Sequence, residues 1–246
     1  MNGIISPMRR ITHAAPALLK RDMRELADPE KAKILSRFFK TGKGEYGEGD
    51  IFLGIKVPEL RKIAKKYDGL SLKETGRLLS SVVHEQRLAA LLILIGHFRK
   101  ADDAGKKEIV DLYLDHTGFV NNWDLVDISA PHILGEYLLR KERSLLDKLA
   151  GSDSLWERRI AIMATFAFIR RNDFEDTLRL SGTLLSDGHD LIHKAVGWML
   201  REVGKRNRKA EEDFLDAHCR RMPRTMLRYA IERFEEKKRR AYLQMS

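Results

Sequence analysis

Outside residues 41–57, apolar positions recur at the spacing of a helix with one buried face along nearly the whole chain. Start signals stand where that pattern restarts. Asp28-Pro29-Glu30 predicts a helix to Phe39, with the aspartate as cap and the proline in the first turn, where its missing N–H costs nothing. Val57-Pro58-Glu59 opens a second helix to Tyr67, and Ser71 caps a third. Ser154-x-x-Glu157 reads as a capping box ahead of the apolar stretch Ile160–Ile169, and Pro223 opens a long last helix, Arg224–Arg240. The unbroken apolar run Leu88–Ile95 is expected to be a buried helix. No segment alternates apolar and polar residues between turn signals, so the chain reads as all-α.

The helices also repeat. His84-x-x-Arg87-x-Ala89, Trp123-x-x-Val126, Trp156-x-x-Arg159-x-Ala161, Leu191-x-x-Lys194-Ala195 and Thr225-x-x-Arg228-x-Ala230 align, with a loose period of about 35 residues. A unit that small cannot bury its own apolar face, so stacking into a helical-pair solenoid is expected, with equivalent positions lining a basic concave groove. The glycine-rich segment 41–57 lacks phosphate-loop spacing and reads as a shaped loop presenting Tyr46 and Phe52.

Composition narrows the partners. A chain of 246 residues that is 43% hydrophobic can bury one sizeable core. A net charge of +10 and a pI near 9.7 favour polyanions, nucleic acid first among them. The charge is uneven: residues 101–150 hold six Lys/Arg against ten Asp/Glu, while both flanks are basic. The single cysteine, Cys219, excludes a disulfide framework and suits a reducing cytosol. The N-terminus has no convincing signal peptide, and Leu88–Ile95 is too short to span a bilayer. A soluble, cytoplasmic protein without a membrane partner is expected. Histidines 84, 116, 132, 189 and 193 show no metal-ligand spacing, and no cofactor is expected.

The chemistry-bearing residues stand out against this background. Trp123 and Asp127 lie four apart, so an indole and a carboxylate share one helix face, which continues through Ala130 and Leu134. A carboxylate on an apolar stripe costs free energy unless it is paired or used. Arg159, among Trp156, Ile160 and Met163, is the matching cation, and a buried structural ion pair is one reading of the two. Pro131 removes the N–H that would bond the Asp127 carbonyl, so a kink is expected there. Asp124 belongs to the first turn and suits the helix dipole. Trp156, beside its cap, reads as core. Trp198 shares its face with Lys194, Arg201 and Lys205, an aromatic within a basic stripe that suits a nucleic-acid backbone. Lys237-Lys238-Arg239-Arg240 reads as a solvated tail.

Four pieces of the chain resemble one family, the AlkD-type DNA alkylation repair glycosylases built from HEAT-like repeats. They are Phe52-Leu53-Gly54-Ile55-Lys56-Val57-Pro58-Glu59-Leu60-Arg61; Trp123 to Asp127 with Ala130-Pro131; Trp156-x-x-Arg159-x-Ala161; and Lys194 to Glu202. The resemblance implies a HEAT-like repeat domain over 28–243, preceded by an extension and first helix over 1–27. It implies Asp127 as catalytic carboxylate, Trp123 and Trp198 against the deoxyribose, and Arg159 supporting the carboxylate and the DNA backbone. Lys194, Arg201, Lys205, Arg228 and Tyr46 would contact DNA, although the family's aromatic falls beside Tyr46 rather than on it. The implied activity is excision of N3- or N7-alkylated purines from duplex DNA by a monomer, with the lesion left stacked. Two other readings of the residues are a DNA-binding protein without chemistry, which has no use for Asp127, and a helical scaffold for a protein partner.

Overall fold

The computed structural model describes residues 15–245. The extension expected before the first helix therefore lies outside the described residues as far as residue 14. From Ala15 the chain is helix α1 (Ala15–Glu25). Among the described residues there is no β-strand, only an isolated bridge between Ile51 and Val83, so the all-α expectation holds. The chain divides into two units, the first ending at Lys100.

The first unit contains α1, α2 (Pro29–Phe38), α3 (Val57–Lys66), α4 (Leu72–Leu79) and α5 (His84–Lys100). The start signals act as the sequence suggests. Asp28 caps α2 through the Lys31 N–H, and Ser71 and Glu74 form a reciprocal capping box on α4. Helix α5 is buried on nearly every side, and α3 and α4 pack on it.

Segment 41–57 is built around α5 rather than projecting from it. The Glu85 carboxylate accepts the backbone N–H groups of Leu53, Gly54 and Ile55 at 2.9, 2.8 and 3.3 Å. Gly54 has φ +82°, and a Cβ there would collide with the Asp28 carbonyl, so glycine is required twice over. Phe52 is not presented by the loop as expected. It is buried, stacked on Phe39 and His84 with centroids 5.1 and 4.4 Å away. Arg87, the first of the recurring basic positions, is consumed inside the unit: it bonds Asp50 at 2.6 Å and the Ser81 carbonyl at 2.8 Å.

The second unit runs through α6 (Asp103–Asp115), α7 (Trp123–Ser129), a π-turn (Pro131–Gly135), α8 (Glu136–Leu138), α9 (Ser144–Ala150), α10 (Leu155–Ala164) and α11 (Phe166–Ile169). It continues with α12 (Glu175–Thr183), α13 (Asp190–Gly204), α14 (Arg208–His218), α15 (Arg224–Ala230) and α16 (Glu236–Met245). Helix α10 packs against α7, α9 and α13, and α13 against α14 and α15. Gly197 lets α13 and α15 close on each other, since a Cβ there would run into the Met226 carbonyl.

Two local readings change. Ser154 caps α10, but the Glu157 carboxylate turns to Thr117 Oγ1 at 2.8 Å and Ser152 Oγ at 2.5 Å instead of closing the box. The expected helix Arg224–Arg240 is two helices. Phe234 adopts an extended backbone and is buried, with the Arg208 guanidinium 4.0 Å over its ring and Tyr242 packed on its edge. No glycine or proline marks that break; burial of one ring overrides helix propensity.

Candidate functional site

Asn122 caps α7 through the Trp123 N–H, which sets the indole at the helix start and the Asp127 carboxylate one turn later. Asp124 plays the local part expected of it, accepting the Leu125 N–H at 2.9 Å. At Pro131, where a kink is expected, the helix is interrupted by a π-turn: the Gly135 N–H bonds the Ala130 carbonyl at 2.9 Å, one residue beyond α-helical spacing. Asp127 therefore sits in the last turn of a short, interrupted helix.

Arg159 holds Asp127 with both arms of its fork. Nε donates to Oδ1 at 2.9 Å and Nη2 to Oδ2 at 2.8 Å. The two side chains are 5% and 15% exposed, so the pair is shielded while the carboxylate keeps an open edge. The remaining arm, Nη1, donates to the Leu191 carbonyl in the first turn of α13. Bidentate, charge-assisted bonding of this kind fixes the carboxylate plane as well as its charge. Burial raises the Asp127 carboxyl above the ordinary aspartate value and Arg159 opposes that rise, while nearby Asp124 adds slightly to it. Beneath the helix, Tyr113 is fully buried with its hydroxyl 3.0 Å from Ser129 Oγ, and burial pushes its phenol upward. Trp123 is half-buried, whereas Trp156 is core, as its cap position suggests.

Trp198 lies on α13, half-buried, with Phe166 tilted against it at 6.2 Å. Its indole N–H donates to Glu202 Oε1 at 3.1 Å. The basic stripe around it is not bare. Lys194 pairs with Asp190 at 2.7 Å, Arg201 with Glu232, and Lys205 with Glu202 at 2.5 Å. Arg228 is exposed and has no ion pair among the described residues. Three of the four tail cations are likewise engaged: Lys238 pairs with Glu212, and Arg239 and Arg240 pair with Glu236. Tyr46 belongs to the first unit, half-buried in the 41–50 turns. Among the described residues no group of three or more His, Cys, Asp or Glu could hold a metal ion, and no helix is long and apolar enough to cross a membrane.

The family model for DNA alkylation repair enzymes matches residues 19–234. The chain belongs to that family. Among solved structures, this DNA alkylation repair family member is similar to a predicted DNA alkylation repair enzyme from Enterococcus faecalis, at 16% identity and a TM-score of 0.66, covering 85% of this chain and 97% of that one. It is also similar to AlkD2 from Streptococcus mutans, at 19% identity and a TM-score of 0.52, covering 90% and 97%. At those identities the likeness concerns the fold. Among curated proteins, nothing matches.

The site of this family member thus joins Asp127, Arg159 and the start of the helix that carries Lys194 and Trp198. The carboxylates that neutralise the stripe were not singled out from sequence. Two of them carry a readable signal, since Asp190–Lys194 and Trp198–Glu202 are four-residue pairs on one helix face. Glu232 and the Leu191 carbonyl carry none, because only packing brings them to their arginines.

Proposed function

We propose that the chain is a DNA glycosylase that releases positively charged N3- and N7-alkylated purines from duplex DNA. The observation that carries this reading is the shielded Asp127 carboxylate, oriented by both arms of Arg159, still 15% exposed and one helical turn from Trp123. Alkylation at a purine ring nitrogen makes the base cationic, so it departs with the glycosidic electron pair and needs no proton from an acid. Positive charge then moves onto the sugar. A fixed carboxylate near C1′ stabilises that state, aligns the water that adds there and accepts the proton the water gives up. Tryptophan faces supply negative π-density to the polarised sugar C–H groups. Because the base leaves unaided, the chemistry requires no pocket enclosing it, and the reading has the protein act from the backbone side with the lesion stacked. Tyr46, Lys194, Arg201, Lys205 and Arg228 would contact the DNA.

A duplex carrying 7-methylguanine, scored for free base, tests the reading. Wild-type protein should release base, and Asp127→Asn should retain DNA affinity while losing on the order of 10²–10³ in rate, by analogy with the loss of one preorganised electrostatic group. Wild-type excision should also fall on acidification at a pH above that of an ordinary aspartate, because the raised carboxyl takes up its proton earlier. The second reading, a DNA-binding protein without chemistry, draws on the same geometry. A bidentate buried pair also suits a structural tie, and that reading expects duplex binding with no base released by either protein.

A further inference from the structure

Glu202 is where the aromatic and the basic parts of α13 meet. Its side chain is 13% exposed, and one oxygen, Oε1, takes the Trp198 indole N–H at 3.1 Å and the Lys205 ammonium at 2.5 Å. Arg201 Nε lies 3.9 Å from the same oxygen, too far to hydrogen bond, and is buried without a hydrogen-bond partner among the described residues. The other end of that guanidinium is held by Glu232. Phe166 lies tilted against the Trp198 ring, and the bond to Glu202 adds a directional restraint on the indole plane. A carboxylate that holds a stacking ring and one phosphate-seeking cation, with a second cation close by, has two effects of opposite sign. It orients the ring, and it competes with the polyanion for Lys205 and Arg201.

We infer that Glu202 is a positioning residue, which fixes the ring plane of Trp198 for base release while lowering affinity for DNA by standing in for a backbone phosphate at Lys205 and Arg201. The inference rests on the glycosylase reading for its rate component only. Charge alone would predict that removing Glu202 helps binding, and hydrogen bonding alone would predict that it harms orientation. The two are separable because glutamine keeps an acceptor oxygen for the indole and carries no charge for the cations.

Four proteins make the test: wild type, Glu202→Gln, Glu202→Ala and Trp198→Phe, the last keeping an aromatic ring without an N–H donor. Single-turnover excision on saturating 7-methylguanine duplex should be near wild type for Glu202→Gln. It should fall by about tenfold or more for Glu202→Ala and for Trp198→Phe, the scale expected when a positioned group is let loose. Affinity for undamaged duplex should rise about two- to fivefold in both Glu202 variants, the worth of a partly exposed ion pair released, with a steeper salt dependence. Independently of chemistry, the indole N–H resonance that disappears in Trp198→Phe should stay in place in free Glu202→Gln and shift in free Glu202→Ala. If that resonance is unmoved in Glu202→Ala, or if Glu202→Gln and Glu202→Ala lose excision equally, the positioning role is wrong. If neither Glu202 variant gains affinity, the phosphate stand-in is wrong. Should Glu202→Ala not fold, the contrast between Glu202→Gln and Trp198→Phe decides the positioning role. If wild type releases no base yet the resonance and affinity behave as stated, the glycosylase reading fails and the role of Glu202 in free protein and DNA binding stands.

Discussion

Arg159→Ala removes three bonds at once: two to Asp127 and one to the Leu191 carbonyl. The carboxylate left behind is only 15% exposed. Breaking a buried pair by deleting one partner costs about 3–5 kcal/mol when the other charge stays in place. Asp127 has an escape, because its carboxyl is already raised by burial and rises further once Arg159 is gone. A group whose folded pKa lies above its unfolded value contributes stability at low pH and loses it as pH climbs through the folded value. The deficit of Arg159→Ala should therefore be small at acid pH, where the raised carboxyl takes up its proton, and approach the full cost once it ionises. At about 2–4 °C per kcal/mol for a chain of this size, the difference in Tm should widen by roughly 10 °C between acid and neutral pH. Thermal melts of wild type, Arg159→Ala, Asp127→Asn and the double variant across that range measure it. The double variant, with no buried charge to strand, should melt above Arg159→Ala at neutral pH, and the cycle isolates the pair. Excision by Arg159→Ala should fall by more than its loss of DNA affinity. A Tm difference that does not change with pH, together with excision reduced only in step with binding, would refute the account of Arg159 as the support of a shielded, working carboxylate.

Other outcomes follow from the same geometry. Arg228→Ala should flatten the log–log salt dependence of duplex binding by about 0.9 for each phosphate that Arg228 neutralises, whereas Lys194→Ala and Arg201→Ala should change it by less, since Asp190 and Glu232 already neutralise those cations in the free protein; equal slopes for all three would contradict this. Glu211, 1% exposed and lying over Gly204, has its carboxyl pushed up to about 8 by burial, with Arg208 only partly opposing. Its contribution to stability should thus decline as pH rises from 4.5 through about 8, and Glu211→Gln should flatten that decline in Tm measured against pH.

How far the chain could be read from its residues depended on whether the signal was local. The starts of α2, α3, α4 and α10 are written in Asp28, Pro29, Pro58, Ser71 and Ser154, because caps and first-turn prolines act within one turn. The pairing of Asp127 with Arg159 was visible as two charges misplaced on apolar faces, and the end of α7 as a missing N–H at Pro131. What escaped was set by partners far along the chain. Phe234 breaks its helix to reach Arg208 and Tyr242, and Phe52 turns inward onto Phe39 and His84, although glycine-rich surroundings suggested a presented ring. The counter-charges on the basic stripe were half-visible for the same reason: Asp190 and Glu202 share a helix with their cations, and Glu232 does not.

Arg159 has one more consequence, for how this part of the molecule comes apart. In stacked repeats each repeat ordinarily leans only on its neighbours, so segments can open one after another from an end. Here a single guanidinium bonds a residue 32 positions before it and another 32 positions after it. Three consecutive repeats are thereby joined at one atom cluster, and α7, α10 and the first turn of α13 should loosen together or not at all. The residue proposed to do the chemistry then sits in a block expected to open as one, tied to the repeats on either side as well as shielded by burial.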